Sequence, residues 1–115
     1  MGPIIEELFP SPLGSIAGHQ DSAGVNRFAP KAFPIHLAAH RVDSPASRSY
    51  CEEHAHEGDR EINLFLPDTT GLRYSASVGG REHLIEKPTA LWIPPKVLHS
   101  ANALAGAGWF VCLRY

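Results

Sequence analysis

The stretch EEHAHEGDREINLFL, residues 52–66, decides how the rest of the chain is interpreted. Its two histidines, His54 and His56, are separated by one residue, and Glu61 begins an apolar run. If the histidines lie on a strand, side-chain alternation places both imidazoles on the same face. The polar residues 57–60 predict a tight turn, after which Glu61 would start a neighbouring strand beside them. Two nitrogens and one oxygen would then form part of a first-row transition-metal site.

A fourth ligand has to come from elsewhere in the chain, and His99 is the strongest candidate. It follows IPPKVL, residues 93–98, which predicts a proline-bounded turn. Such a turn can deliver the start of another strand, and with it the imidazole of His99, to the same interior.

The chain from residue 35 onward consists of short apolar runs between turn signals, spaced about ten residues apart. The runs are residues 35–42, 49–56, 61–67, 72–78, 81–87, 89–94, 99–104 and 109–115. None shows a sustained helical period, so the pattern predicts an all-β sandwich or barrel. Gly79 and Gly80 predict a tight hairpin, and DSPAS at residues 43–47 predicts a loop.

The first third of the chain has a different texture. Residues 1–34 contain prolines at positions 3, 10, 12, 30 and 34, which disfavour long helices and central strands. We interpret this segment as an irregular arm with one helical turn at residues 4–8, and residues 35–115 as the β domain. His19 lies in the arm and is expected to be inert.

The two histidine-containing segments resemble the two short motifs of the cupin superfamily. The first motif, H-x-H followed after three or four residues by E, is similar to His54-Ala55-His56 with Glu61. The second, roughly P-x-G-x-x-H, is similar to residues 94–99, PPKVLH, where Lys96 stands in place of the usual glycine. The resemblance covers about residues 48–104. It implies a cupin-type double-stranded β-helix, or jelly-roll barrel.

The resemblance also implies one bound divalent metal ion, which in the family is iron, manganese, nickel, copper or zinc. Its implied ligands are His54, His56, Glu61 and His99. We expect a metal-dependent enzyme acting on a small organic molecule, with dioxygenase chemistry ahead of isomerase, lyase or cyclase chemistry. The alternatives are a non-catalytic metal-holding or ligand-sensing cupin, and an accessory cupin of a natural-product pathway.

An enzyme needs an acid or base beside the metal in addition to the ligands. The candidates are His40, Tyr74 and Glu52. His36 and His40 share a face of their run, where they could line a pocket or lie half-buried at a sheet edge. Tyr74 could equally be a core residue.

Substrate-binding candidates follow from the alternation on the Glu61 strand. Asn63 and Phe65 share the face of Glu61 and would line the same cavity. Trp92, on another apolar run, is a further candidate, with core packing as its alternative. Arg73 and Arg114 could bind a carboxylate, although arginines on short strands more often face solvent. The remaining polar residues are expected to face solvent or the rim: His83, Glu52, Glu53, Glu57 and Asp59.

Composition excludes several classes of partner. The formal net charge of −2 and the pI of about 6.4 provide no basic surface for nucleic acid or anionic membranes. Cys51 and Cys112 are expected to be reduced, mostly buried thiols. The N-terminus lacks the features of a signal peptide, so a cytoplasmic location is expected. Exposed sheet edges and apolar faces predict a homodimer.

Overall fold

The computed structural model describes residues 2–44 and 49–115, and both ranges are built from β-structure apart from one short 3₁₀ turn. The all-β prediction is therefore confirmed. No helical segment in these two ranges reaches the length and hydropathy that a membrane span requires. Most of the loop predicted at residues 43–47 lies outside the described residues.

The described strands form a single antiparallel sheet. Their bounds are β1 Phe9–Pro10, β2 Val25–Ala29, β3 His36–Asp43, β4 Glu61–Val78, β5 Arg81–Ile85, β6 Thr89–Ile93 and β7 His99–Arg114. The sheet order is β1-β2-β3-β7-β4-β5, and β6 pairs with the first part of β4. The 3₁₀ turn, Leu13–Ser15, lies between β1 and β2.

Two long strands replace four of the predicted short ones. Strands β4 and β7 pair along most of their length, with register shifts between Pro67 and Leu72 and between Arg73 and Tyr74. Opposite the first shift, Gly106 has φ +87°, and a Cβ on it would lie 2.2 Å from the carbonyl oxygen of Gly71. The glycine signals in this part of the chain therefore mark a bend in a continuous strand pair, where the two backbones approach closely.

The predicted strand at residues 49–56 is wrong. In the described residues this segment forms no ladder, and its backbone pairing consists of two isolated bridges, Cys51 with His19 and His54 with His99. The side chain of Asn102 takes the place of a ladder: its oxygen accepts hydrogen bonds from the backbone N–H groups of Tyr50 and Cys51, each at 2.8 Å. Its amide nitrogen donates to the carbonyl of Cys51 at 3.0 Å. A side chain thus fixes the segment that carries the H-x-H pair.

The N-terminal segment, predicted as an irregular arm over residues 1–34, contributes strand β2 to the sheet. Val25–Ala29 pairs with β3, and its prolines lie outside the strand, as Pro30 follows it. The helical turn predicted at residues 4–8 is wrong. Glu6 accepts hydrogen bonds from the backbone N–H groups of Lys31 and Ala32, which anchors extended chain where an isolated turn would have little support.

The hydrophobic core is formed by inward-facing side chains of the long strands. Phe65 of β4 packs edge-to-face on Tyr74, with ring centroids 5.2 Å apart, and Phe110 of β7 stacks on Tyr74 at 5.1 Å. The hydroxyl of Tyr74 lies 2.8 Å from that of Tyr50, so the buried phenols satisfy each other. The β4–β5 connection at Gly79-Gly80 has φ values of +57° and +82°, and the predicted two-residue hairpin is confirmed.

Lys96 occupies a left-handed conformation, with φ +70°, in the turn between β6 and β7. Its side chain is exposed, while its backbone N–H donates to the carbonyl of His56 at 2.7 Å. A residue with a Cβ is destabilised by about 1–2 kcal/mol in the left-handed region. Glycine avoids this strain, but its greater conformational entropy in the unfolded state offsets part of the gain in stability. We expect Lys96→Gly to raise the free energy of unfolding by about 0.5–1 kcal/mol, measured by urea denaturation.

The matched control is Lys87→Gly. Lys87 is also exposed but does not have a positive φ, so the same change is expected to lower stability. An unchanged or lower urea midpoint for Lys96→Gly would show that the turn is not strained by the lysine.

Candidate metal centre

Cross-strand register places Glu61 at one end of a row of three polar side chains. On β7 its partner is Arg114, which in turn pairs with His36 of β3. Alternation along the start of β4 makes Glu61, Asn63 and Phe65 the inward-facing residues, and all three are buried. The predicted shared face of these three residues is confirmed.

His54 and His99 are held together by their backbones. The N–H of each donates to the carbonyl of the other, at 3.0 and 2.8 Å. His99 is the first residue of β7, and His54 reaches it from the segment pinned by Asn102. The two imidazole centroids are consequently 4.4 Å apart.

The four side chains predicted as metal ligands converge. The Nε2 atoms of His56 and His99 lie 3.1 and 3.2 Å from Oε1 of Glu61. The His54 ring is 5.0 Å from that of His56, and one potential ligand atom from each of the four residues lies within 4.8 Å of the others. The geometry arises without the predicted hairpin, because β4 and β7 deliver Glu61 and His99 directly.

Second hydrogen bonds orient the imidazoles of His54 and His99. Nδ1 of His54 donates to the carbonyl of Glu52 at 2.8 Å, and Nδ1 of His99 donates to that of Val97 at 2.9 Å. With the proton assigned to Nδ1, each Nε2 carries a lone pair suited to a metal ion. His56 differs because Nη1 of Arg114 donates to its Nδ1 at 3.0 Å. Its neutral form then carries the proton on Nε2, so metal binding through Nε2 would require that proton to move to Nδ1 and the Arg114 contact to shift.

One buried atom tests whether these residues fit a metal ion. Nε2 of His99 is buried and has no hydrogen-bond partner among the described residues. Its 3.2 Å separation from Glu61 is an ion-pair distance, but the contact does not have hydrogen-bond geometry. Unsatisfied buried nitrogens are unfavourable in an interior. The lone pair of this His99 nitrogen faces a carboxylate and two other imidazoles, and this group of donor atoms fits a divalent cation.

The electrostatics keep the carboxylate ionised. Burial alone would raise the pKa of Glu61, but His99, Asn63 and His56 together lower it to about 2. Asn63 donates from its amide to Oε2 of Glu61 at 2.8 Å, leaving Oε1 facing the imidazoles. Burial, followed by the charge of Arg114, lowers the pKa of His56. At neutral pH the cluster thus presents an anionic oxygen and a neutral His56.

A cavity of about 390 Å³ opens beside the cluster. Six of the chain's seven histidines line it, which explains the histidine surplus of the sequence: His19, His36, His40, His54, His56 and His99. Cys51 and Cys112 also line the cavity as free cysteines, and burial raises the pKa of both thiols, that of Cys51 to about 11.

Of the acid–base candidates, only His40 lies at the cavity. Its Nδ1 donates to the carbonyl of Phe110 at 3.1 Å, and burial lowers its pKa to about 4, so His40 is neutral near pH 7. Tyr74 is fully buried in the core, paired with Tyr50, and does not line the cavity. The side chain of Glu52 is exposed and outside the cavity, and it is the Glu52 carbonyl that orients His54.

The three substrate-binding candidates lie in different parts of the molecule. Asn63 lines the cavity, whereas Phe65 packs in the core behind it. Trp92 lies on the opposite face of β6, is 54% exposed and donates from its indole to the hydroxyl of Tyr115. Alternation turns Leu91 and Ile93 inward on this strand, so Trp92 faces away from the cavity.

Sequence patterns did not place His19, Arg27 or Arg114 in the cavity wall, whereas His36 lines the cavity in agreement with one of its two predicted alternatives. The ring of His19 lies 5.2 Å from that of His54, in a second cluster with Cys51, so the N-terminal segment completes the wall. Arg114 was expected to face solvent but lies between His36 and His56. Only strand register could have found these residues, whereas His83 and Arg73 are exposed as predicted.

We compared the chain with known protein families, sequences and structures. No protein-family profile matches the sequence. No curated protein sequence matches it either. Solved structures match over nearly the whole chain. A predicted oxalate decarboxylase from Thermotoga maritima has a TM-score of 0.70 and 14% identity, and the alignment covers 96% of this chain and 97% of that one.

Two further structures show the same fold. An RmlC-like cupin from Shewanella frigidimarina has a TM-score of 0.59 and 15% identity, with 91% of this chain and 92% of that chain covered. KdgF from Halomonas sp. has a TM-score of 0.58 and 18% identity, with coverages of 90% and 91%. The predicted jelly-roll barrel is confirmed, and the chain has the fold of these cupin structures.

Proposed function

We propose that this cupin binds one divalent transition-metal ion through His54, His56, Glu61 and His99. The observation that carries the proposal is the unpartnered, buried Nε2 of His99, which faces an ionised carboxylate and two further imidazoles. Three imidazole nitrogens and one carboxylate oxygen suit iron, manganese, nickel, copper or zinc.

We further propose that the protein is a metal-dependent enzyme acting on a small organic molecule. The cavity beside the cluster has about 390 Å³, a volume typical of small-molecule sites. A bound ion would supply Lewis acidity or, if redox-active, a site for dioxygen. His40 and Asn63 line the same space and can hydrogen-bond a ligand there, His40 through its Nε2, which has no hydrogen bond to the described residues. A site that only stores metal has no need for these additional polar groups.

The metal proposal is tested by elemental analysis of protein purified without added metal, followed by titration with Co²⁺. We expect saturation at one ion per chain. Glu61→Gln removes the anionic ligand at nearly constant size and is expected to weaken Co²⁺ binding by roughly tenfold or more. Glu82→Gln, an exposed residue of β5, is the control and should match wild type. Absence of saturable binding in wild type would overturn the proposal.

The reaction class is tested with an oxygen electrode. Iron-loaded protein is mixed in turn with small enolisable ketones, catechols and thiols. Substrate-dependent oxygen uptake supports the dioxygenase expectation, whereas product formation without uptake supports isomerase, lyase or cyclase chemistry. Stoichiometric metal with neither result favours the non-catalytic, ligand-sensing alternative.

A further inference from the structure

Arg27 is a buried arginine without an acidic partner among the described residues. It lies on the inward face of β2 and is 8% exposed. Its Nη1 donates to the hydroxyl of Ser11 at 2.6 Å, and no ion pair in residues 2–44 and 49–115 includes it. Burying a guanidinium without a counter-ion is unfavourable, so such a group needs an explanation.

The cavity offers Arg27 no neutralising group. Glu61 is the one acidic residue in the described wall, and its two oxygens face His56, His99 and Asn63. Burial lowers the pKa of Arg27, and the charge of Arg114 acts in the same direction. The cavity wall thus carries two guanidinium groups and a single carboxylate, before any metal ion adds further positive charge.

Arg27 and Arg114 differ in what their guanidinium groups contact. Arg114 donates to Nδ1 of His56 and to Nδ1 of His36, each at 3.0 Å, and it lies 3.8 Å from Asp59. Its guanidinium donors are therefore already used to orient the two imidazoles. Within residues 2–44 and 49–115, Arg27 makes one side-chain hydrogen bond, to a neutral hydroxyl, and it retains donors for a ligand.

Strand register provides space between Arg27 and the metal cluster. Arg27 pairs across the sheet with His40, four residues along β3 from His36, whose row contains Glu61. Four residues of a strand span about 13 Å. One cross-strand row lies between the row of His40 and the row of His36. Its residues have small side chains that form the cavity floor: Ala38, Cys112 and Asn63.

We infer that Arg27 is the anion-binding residue of this cavity, and that the ligand is a small organic molecule bearing a carboxylate or phosphate group. The anionic group would lie against the Arg27 fork, with the rest of the molecule extending over the small-residue floor toward the Glu61 cluster. That the ligand extends to the Glu61 cluster rests on the proposed metal function. The contact between the anionic group and Arg27 does not require a metal ion.

The test measures binding of three probes to metal-free and to zinc-loaded protein by calorimetry. Succinate and inorganic phosphate represent the two sources of an oxyanion, and succinamide is a neutral analogue of succinate. We expect at least one anion to bind metal-free wild type, and succinamide to bind detectably worse than succinate. Arg27→Gln should weaken binding of that anion roughly tenfold or more, with Arg27→Lys in between.

Arg41→Gln is the matched control. Arg41 lies on the neighbouring strand β3 with its side chain paired to Asp43 and Asp68, away from the cavity, and the variant should bind like wild type. A melting curve of each ligand-free variant separates a binding role from a structural one. Because Arg27 is uncompensated, Arg27→Gln is expected to melt at the same temperature as wild type or higher.

The inference is overturned if wild type binds neither anion, or if Arg27→Gln and Arg41→Gln bind equally well. It is also overturned if Arg27→Gln only lowers the melting temperature while the anion affinity of the folded protein is unchanged. Anion binding through Arg27 in a protein that takes up no metal would support this inference and refute the proposed metal function. Stoichiometric metal binding without Arg27-dependent anion binding would support the proposed metal function and refute this inference.

Discussion

The variant His99→Ala is expected to weaken metal binding by roughly 100-fold or more. A four-ligand zinc site contributes about 10–16 kcal/mol of binding free energy, or about 3 kcal/mol per ligand. His99 is 3% exposed, its Nδ1 is fixed by the Val97 carbonyl, and its Nε2 has no other hydrogen-bond partner in the described chain. The imidazoles of His54 and His56, which contact its ring, already belong to the cluster and so cannot replace it.

The measurement is competition for Zn²⁺ against a chromophoric chelator. His83→Ala is the control, since His83 is exposed on β5 and outside the cavity, and it should retain wild-type affinity. His99→Gln keeps more of the side-chain volume than alanine, and circular dichroism of both variants tests whether the barrel is retained. Equal zinc affinity in folded His99→Ala and wild type would show that His99 is not a ligand.

The variant Phe65→Ala is expected to lower the free energy of unfolding by about 3–5 kcal/mol. Phe65 is 1% exposed and packs edge-to-face on Tyr74, with its centroid also 5.1 Å from that of Phe110. Truncation removes the transfer free energy of the ring and leaves a cavity between strands β4 and β7. A domain of this size has a total stability of about 5–15 kcal/mol, so the variant would be marginal.

Leu66→Ala is the matched control for that change. Leu66 is the next residue on β4, but alternation turns it to the outer face, where it is 43% exposed. We expect a loss of about 0.5 kcal/mol or less, measured by urea denaturation. Phe65→Leu tests the same core position if the alanine variant does not fold. A loss below about 1 kcal/mol for Phe65→Ala would place its ring outside the core.

Local sequence patterns predicted the strand faces well wherever a strand was regular. Alternation from Glu61 correctly made Asn63 and Phe65 inward-facing, because the period of a strand is a local property. The Gly79-Gly80 hairpin was equally local. The same reasoning placed His54 and His56 on a strand, which was wrong, because the side chain of Asn102 holds that segment without a ladder.

The roles of the cavity residues could not be predicted from local pattern. Trp92 was a ligand-binding candidate and Arg114 an expected surface residue, yet Trp92 faces outward and Arg114 lies in the wall. The face of a short strand depends on which neighbour it pairs with. For these two residues the neighbours, β4 and β3, are many residues distant in the chain.

The sequence by itself determined the β class, the hairpin and the identities of the four convergent polar residues. The first two follow from periodicity and from glycine conformation, and the four residues follow from the H-x-H spacing together with the resemblance to the two cupin motifs. Only the tertiary structure decided that His19 and Arg27 join the same cavity and that Tyr74 and Phe65 are core. Their positions follow from long-range strand pairing and from the fold of the N-terminal segment, because each contact joins residues whose separation along the chain carries no local signal.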